Sequence, residues 1–245
     1  MNSTDDFLII EETPDLLILN KPHLWSTLPK IGDLKTAPLE ALPASPNLGE
    51  ALGHHRSEQR VIPEFGIVHR LDLGTSGLVV AAKSEPVYRL LREQWSTSAV
   101  TKIYRAIVSK PSEDLRDLHL PFEIRTAIGH DLKSAKRMRA LNEEKDLRRI
   151  RSKPLNALSE IKSYRSVDPT HTELTIQIST GVRHQIRVHL ASLGLPILGD
   201  LLYKGEPSSR LWLHSSEIEL RIKTPAFTVC GRFSVPPPSD WPTFN

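Results

Sequence analysis

The sequence has a single cysteine, Cys230, so no disulfide can form within the chain. That usage suits a reducing compartment, and a cytoplasmic location is expected. The opening residues, Met1 to Asp6, are polar and acidic rather than basic and then apolar, unlike a secretory signal. No apolar run approaches the roughly 20 residues a membrane-spanning helix needs. There is no P-loop and no dinucleotide fingerprint. His54, His55, His184, His189, His214 and Cys230 lack the spacing of metal ligands. No cofactor and no metal are therefore expected. A strong charge of one sign is missing too: 32 basic against 29 acidic residues leave a net charge of +3. There is no internal repeat and no heptad pattern.

What is present is enough apolar material for a substantial core. The chain has 245 residues, 39% of them hydrophobic, which fits one large domain or two small ones. A single domain is expected, with its core over about residues 8–233, a Pro/Gly-rich insertion at 29–60 and a tail at 234–245. Charge is unevenly spread. Between Arg125 and Lys153 stand ten Lys/Arg and four Asp/Glu, a local net of +6. Such a stretch, with Arg137, Arg139, Arg148 and Arg149 in it, can follow a phosphate backbone; in isolation it reads rather as a solvated surface loop.

Leu16 to Leu19 form a short apolar strand ended by Lys21-Pro22. Ser84 is placed to cap a helix running through Trp95, with Val87, Leu90, Leu91 and Trp95 on one face. Leu174, Ile176 and Ile178 alternate with polar residues, as do Ile218, Leu220 and Ile222, and both read as half-buried strands. A helix is expected over 183–193, with Ile186, Leu190 and Leu193 on its buried face and Gly194 just past its end. Strands dominate over helices, which argues an α+β fold with a largely antiparallel or mixed sheet.

Residues 67–83, IVHRLDLGTSGLVVAAK, are the most informative stretch. Asp72 follows an apolar run, with Arg70 two residues before it and glycines at 74 and 77 on either side of Thr75-Ser76. The glycines permit a tight turn and Val79 to Ala82 read as a buried strand, so one carboxylate is held on a turn at a strand edge. A lone Asp on a turn is more often a structural cap. On a strand, Arg70 and Asp72 would point the same way. His69 is expected to be structural, bonded to backbone. On 102–108, Tyr104 shares a face with Ala106 and Val108, toward the core. Arg187 borders the buried face of its helix, where a cation needs an anionic partner.

The HRLD-x-x-TSG block resembles the signature of the RluA-like family of RNA pseudouridine synthases. Asp15-Leu-Leu-Ile-Leu-Asn-Lys-Pro22, Lys102-Ile-Tyr-Arg-Ala-Ile-Val108, Thr180 to Leu190 with its HQIRVHL run, and Gly194 to Asp200 with Tyr203 and Leu213-His214 are similar to further motifs of that family, in order. The resemblance implies the pseudouridine-synthase fold, a bent mixed sheet with flanking helices and a central catalytic cleft. It implies Asp72 as the catalytic carboxylate, Tyr104 as the tyrosine that stacks on the target base, and Arg187 as the arginine that pairs with the aspartate. It implies that Arg70 helps hold the extruded nucleotide. The implied partner is RNA, ribosomal before transfer RNA. A monomer without an obligate protein partner is the default expectation. No S4-like RNA-binding module is expected before Asp15.

Three departures stand out. The usual T-G-R-x-H-Q reads here Thr180-Gly-Val-Arg-His-Gln185, with the arginine one place late. Leu73-Gly74 replaces a charged pair. The glycine usual after Asn-Lys-Pro is replaced around Leu24-Trp25, which alters the turn. Two other readings are a catalytically silent RNA-binding or ribosome-assembly factor on the same fold, and a glycosidic hydrolase. The latter would need a second carboxylate, which the HRLD block does not offer.

Overall fold

The computed structural model describes residues 9–29, 46–95, 97, 99–224 and 227–242. The chain divides into two compact units, residues up to 100 with 215–235, and 101–214 with the residues from 236 on. The architecture is α+β, as the strand-rich pattern predicts.

In the first unit, β1 (Ile9–Glu12) and β2 (Leu16–Lys21) form an antiparallel pair, and β2 runs antiparallel to β3 (Ser76–Ala82) with Leu19 opposite Val79. Most of β10 (Leu213–Lys223) belongs here, beside β3, and β11 (Thr228–Ser234) returns along β10. Every residue of β3 is buried, which is why it reads as an unbroken apolar run rather than an alternation. Helix α2 (Glu85–Gln94) contributes Val87, Tyr88 and Leu91, with Trp95 just beyond it, to a core with Leu16, Ile18, Leu78 and Val80. Ser84 occupies the N-cap position, but its side chain makes no capping bond; its carbonyl accepts the Tyr88 N–H instead. Residues 30–45 of the Pro/Gly-rich stretch lie outside the described residues. The remainder holds α1 (Leu48–His55), capped by Asn47 Oδ1 on the Glu50 N–H at 2.8 Å, and runs into a short 3-10 turn, Ser57–Val61, with a second, Pro63–Gly66, just beyond the stretch.

The second unit is built on β4 (Val100–Val108), β9 (Thr172–Ile178), β8 (Ser159–Ser166) and β5 (Phe122–Ile124), each pair antiparallel. Tyr104 stands opposite Ile176. A separate hairpin joins β6 (Ile128–His130) to β7 (Met138–Ala140). Helix α3 (Gln185–Ser192) brings Val188 onto Ile128, Met138 and Tyr203. The helix is shorter than the pattern predicts. Arg183 precedes it, His184 caps it at φ 56°, and Leu193, expected to be buried, is 40% exposed at its end. Gly194 follows at φ 74°, the left-handed conformation that ends the helix.

Candidate active site

Asp72 rides on a turn whose ends are joined by the Thr75 N–H donating to the Asp72 carbonyl at 3.0 Å. The surroundings leave that turn little freedom. Thr27 Oγ1 accepts the Leu71 N–H and donates to the Leu71 carbonyl, each at 3.0 Å, so one hydroxyl fixes the residue before Asp72. The residue after it is held too. The Leu73 carbonyl accepts the Leu24 N–H at 2.8 Å and lies 3.4 Å from Lys21 Nζ. Lys21 is fully buried, and its ammonium also donates to the carbonyls of Pro22 at 2.9 Å and Trp25 at 2.7 Å. A buried ammonium is tolerated only when its donors find acceptors. This lysine therefore fastens the loop after β2 to the Asp72 turn.

Of the two glycines expected to make the turn, Gly77 is the one with a positive φ, 112°. A Cβ there would come 2.2 Å from the Ser215 carbonyl oxygen, so the close approach of β10 requires glycine. Asp72 is half-buried, while Arg70 is exposed. Neither lies on a strand, so the same-face argument for the pair does not apply. Arg70 makes no ion pair among the described residues. His69 is structural, as expected: its Nε2 accepts the Val80 N–H at 3.1 Å and its ring stacks on Trp95 at 4.3 Å. A neutral ring in that role carries its proton on Nδ1.

In the second unit Tyr104 is 7% exposed, on the buried face of β4 with Ala106 and Val108. Lys102, two residues earlier on that face, is more deeply buried still and donates to the Ser179 carbonyl at 3.2 Å. Burial lowers its pKa to about 8.

Each polar residue of the HQIRVH run has a defined partner. His184 Nδ1 meets the Tyr203 hydroxyl at 2.9 Å. Gln185 Oε1 accepts from Thr180 Oγ1 and the Val182 N–H, and its amide donates to the Leu158 carbonyl and Ser159 Oγ. Arg187 binds Asp200 through Nε at 2.7 Å and Nη2 at 2.8 Å, the side chains being 11% and 1% exposed. His189 lies between Ser159 Oγ and the Thr126 carbonyl, both at 2.9 Å, and burial pushes its pKa down. The Arg187 guanidinium also stands 5.2 Å from the centre of the Tyr203 ring, whose hydroxyl accepts the Met138 N–H at 2.8 Å. A planar fork on a carboxylate, backed by an aromatic face, fixes a cation in orientation as well as in charge. The roles of Lys21, Thr27, Asp200 and Tyr203 were not legible in the sequence. Lys21, Asp200 and Tyr203 stand in the quoted motifs without an assigned contact, and Thr27 stands in none of them.

The four arginines of the basic stretch are not alike. Arg139 sits 2.8 Å from the buried carboxylate of Asp131 and 3.8 Å from Asp146, and Arg149 is 3.5 Å from Asp146. Arg148 is exposed and Arg137 half-buried. The displaced Arg183 lies outside the helix and points its guanidinium at the carbonyls of Ala135 and Lys136, at 3.4 and 3.3 Å.

The fold matches solved pseudouridylate synthases. Human RNA Pseudouridylate Synthase Domain Containing 1 aligns with a TM-score of 0.67 at 21% identity, covering 96% of this chain and 85% of that one. Human RNA Pseudouridylate Synthase Domain Containing 4 aligns with a TM-score of 0.57, also at 21% identity, over 86% and 83%. A family model described as RNA pseudouridylate synthase matches residues 15–192. The chain belongs to the RNA pseudouridylate synthase family. It is 30% identical over 201 residues to Ribosomal large subunit pseudouridine synthase D of Salmonella typhimurium, and equally to that of Escherichia coli K12. In both cases the match covers 81% of this chain and 53% of the relative, so the chain spans about half the length of the curated relatives it matches. No described helix is long and apolar enough to cross a membrane.

Proposed function

We propose that the chain isomerises uridine to pseudouridine in structured RNA, ribosomal RNA before transfer RNA. The observation that carries this reading is the braced turn at Asp72, in a chain of this family. A half-buried carboxylate is held there by Thr27, Lys21 and Leu24 through the backbone on either side of it. Such rigidity suits a group that must meet a reacting atom within a fraction of an ångström.

In the reaction the bond between C1′ and N1 of the uridine breaks and one between C1′ and C5 forms. The C5 proton leaves and N1 gains one, so no oxidant, metal or second substrate enters the balance. The nucleotide has to leave the stack first, because neither C5 nor the glycosidic bond is accessible within it. Asp72 acts as the carboxylate nucleophile or base at the sugar or base. Tyr104 stacks on the uracil. Arg187 supplies a cation fixed in orientation by Asp200. Arg70 holds the extruded nucleotide, and exposed cations of 125–153 contact phosphates. The chain works as a monomer in the cytoplasm.

The test is a pseudouridine map of ribosomal and other cellular RNA in three strains: intact, deleted, and Asp72→Asn. The expected result is that one defined set of pseudouridines is missing from both altered strains. Identical maps in all three would overturn the assignment.

A further inference from the structure

Resting on that reading, we propose that Leu24 and Leu73 form an apolar wedge that enters the RNA stack beside the target uridine and keeps the extruded nucleotide from returning. Both leucines expose about half or more of their surface, 59% for Leu24 and 51% for Leu73, beside the wholly buried apolar run Leu16 to Leu19. They are joined by the backbone bond from the Leu24 N–H to the Leu73 carbonyl, at 2.8 Å. Leu73 is the residue next to Asp72.

The conformation of Leu24 is the telling feature. It lies at φ 64°, in the left-handed region where a branched side chain is strained and glycine or asparagine is at ease. The neighbours enforce that conformation. Lys21 Nζ holds the carbonyls of Pro22 and Trp25 on either side, and the Leu24 N–H is committed to Leu73. The side chain recovers little of this cost by packing, since it is mostly in solvent. A strained residue whose side chain faces outward is kept for what that side chain does outside the fold.

The occupant follows from the surroundings. Arg70, two residues before Asp72, is exposed and makes no ion pair among the described residues, so a cation for phosphate stands on the same segment as the apolar pair. Leucine side chains inserted between bases unstack them, and the unstacking is repaid by contacts to the extruded nucleotide. An aliphatic wedge reads no base edge, so this surface serves extrusion rather than sequence choice.

The experiment uses the full chain with Leu24→Gly, Leu73→Ser and the double variant. Two RNAs carry the same sequence around one mapped uridine, one folded as a stem–loop and one unpaired, each with 2-aminopurine beside that uridine. The expected result is that the rate falls at least about tenfold more on the stem–loop than on the unpaired RNA, because only the stem–loop resists unstacking. The 2-aminopurine brightening seen when the unaltered chain binds the stem–loop should shrink in the variants. Leu24→Gly should unfold at no lower temperature than the unaltered chain, since the strain is relieved. Equal losses on both RNAs, undiminished brightening, or a lower unfolding temperature for Leu24→Gly would overturn the wedge. Brightening without pseudouridine would instead overturn the assigned reaction and leave the wedge standing.

Discussion

Arg187 and Asp200 meet through two hydrogen bonds, Nε to Oδ2 at 2.7 Å and Nη2 to Oδ1 at 2.8 Å. The carboxylate is 1% exposed, so the arginine's orientation is set from behind by a group that has no access to solvent. Asp200→Asn would keep the shape and lose the charge. Removing one member of a buried pair typically costs about 3–5 kcal/mol, because the other charge is left uncompensated. With one hydrogen bond retained, the low end of that range is expected, read from urea unfolding. Arg187→Met together with Asp200→Asn should cost less than the sum of the two single changes. Additive losses would mean that the two residues act independently.

Lys102 should make stability depend on alkaline pH. Burial lowers its pKa to about 8 from the usual 10.5 of a lysine, so the folded chain disfavours the charged form. The penalty is present in full below about pH 8. As pH rises from there toward 10.5, the folded chain releases the proton before the unfolded one does, and stability increases. The full excursion amounts to about 3 kcal/mol at most. Lys102→Met should flatten the slope between pH 8 and pH 10. Urea midpoints measured across that window would show it, and an unchanged slope would assign it to other groups.

Gly77→Ala should be among the most damaging single-methyl additions in the first unit. The residue sits at φ 112°, and the new Cβ would lie 2.2 Å from the Ser215 oxygen and 2.7 Å from its nitrogen. These neighbours are Ser215 backbone atoms, so no flexible side chain can move aside. A loss of about 3 kcal/mol or more is expected from the combined strain and clash. Denaturant unfolding measures it, and a loss below about 1 kcal/mol would show that β10 can shift.

The basic stretch should separate into cations for the fold and cations for RNA. Lys133, Lys136, Arg148 and Arg151 are exposed and unpaired among the described residues. Their joint replacement by Gln should weaken RNA binding and lower the slope of log affinity against log salt by up to about 3. Arg139→Gln should instead cost stability, since it leaves Asp131 buried without its cation. A salt slope that does not change would return the segment to the reading of a solvated loop.

Much of this was legible in the sequence, and unevenly so. Strands β3, β9 and β10 announced themselves, because burial leaves either an unbroken apolar run or a clean alternation. His69 reads from the sequence as bonded to backbone, and its Nε2 accepts the Val80 N–H. The end of α3 was signalled by Gly194, but its start was not: the sequence put Arg183 inside the helix, whereas a left-handed His184 begins it. Periodicity cannot register one residue of unusual φ. The burial of Arg187 calls for an anion; Asp200, 13 positions on, answers that need only in the folded chain. Lys21 looked like a strand end; that it is a buried fastener depends on three carbonyls brought together by folding.

The short bridge between Ser26 and Asn47 has a consequence for Asp72. The Ser26 N–H donates to the Pro46 carbonyl at 3.1 Å, the Leu48 N–H to the Ser26 carbonyl at 2.9 Å, and the Gly49 N–H to the Thr27 carbonyl at 3.1 Å. The two ends of the segment between them are thus stitched together next to Thr27, the hydroxyl that fixes Leu71. The carboxylate one residue beyond Leu71 thus keeps its address through stitches at residues 26–27 and 46–49.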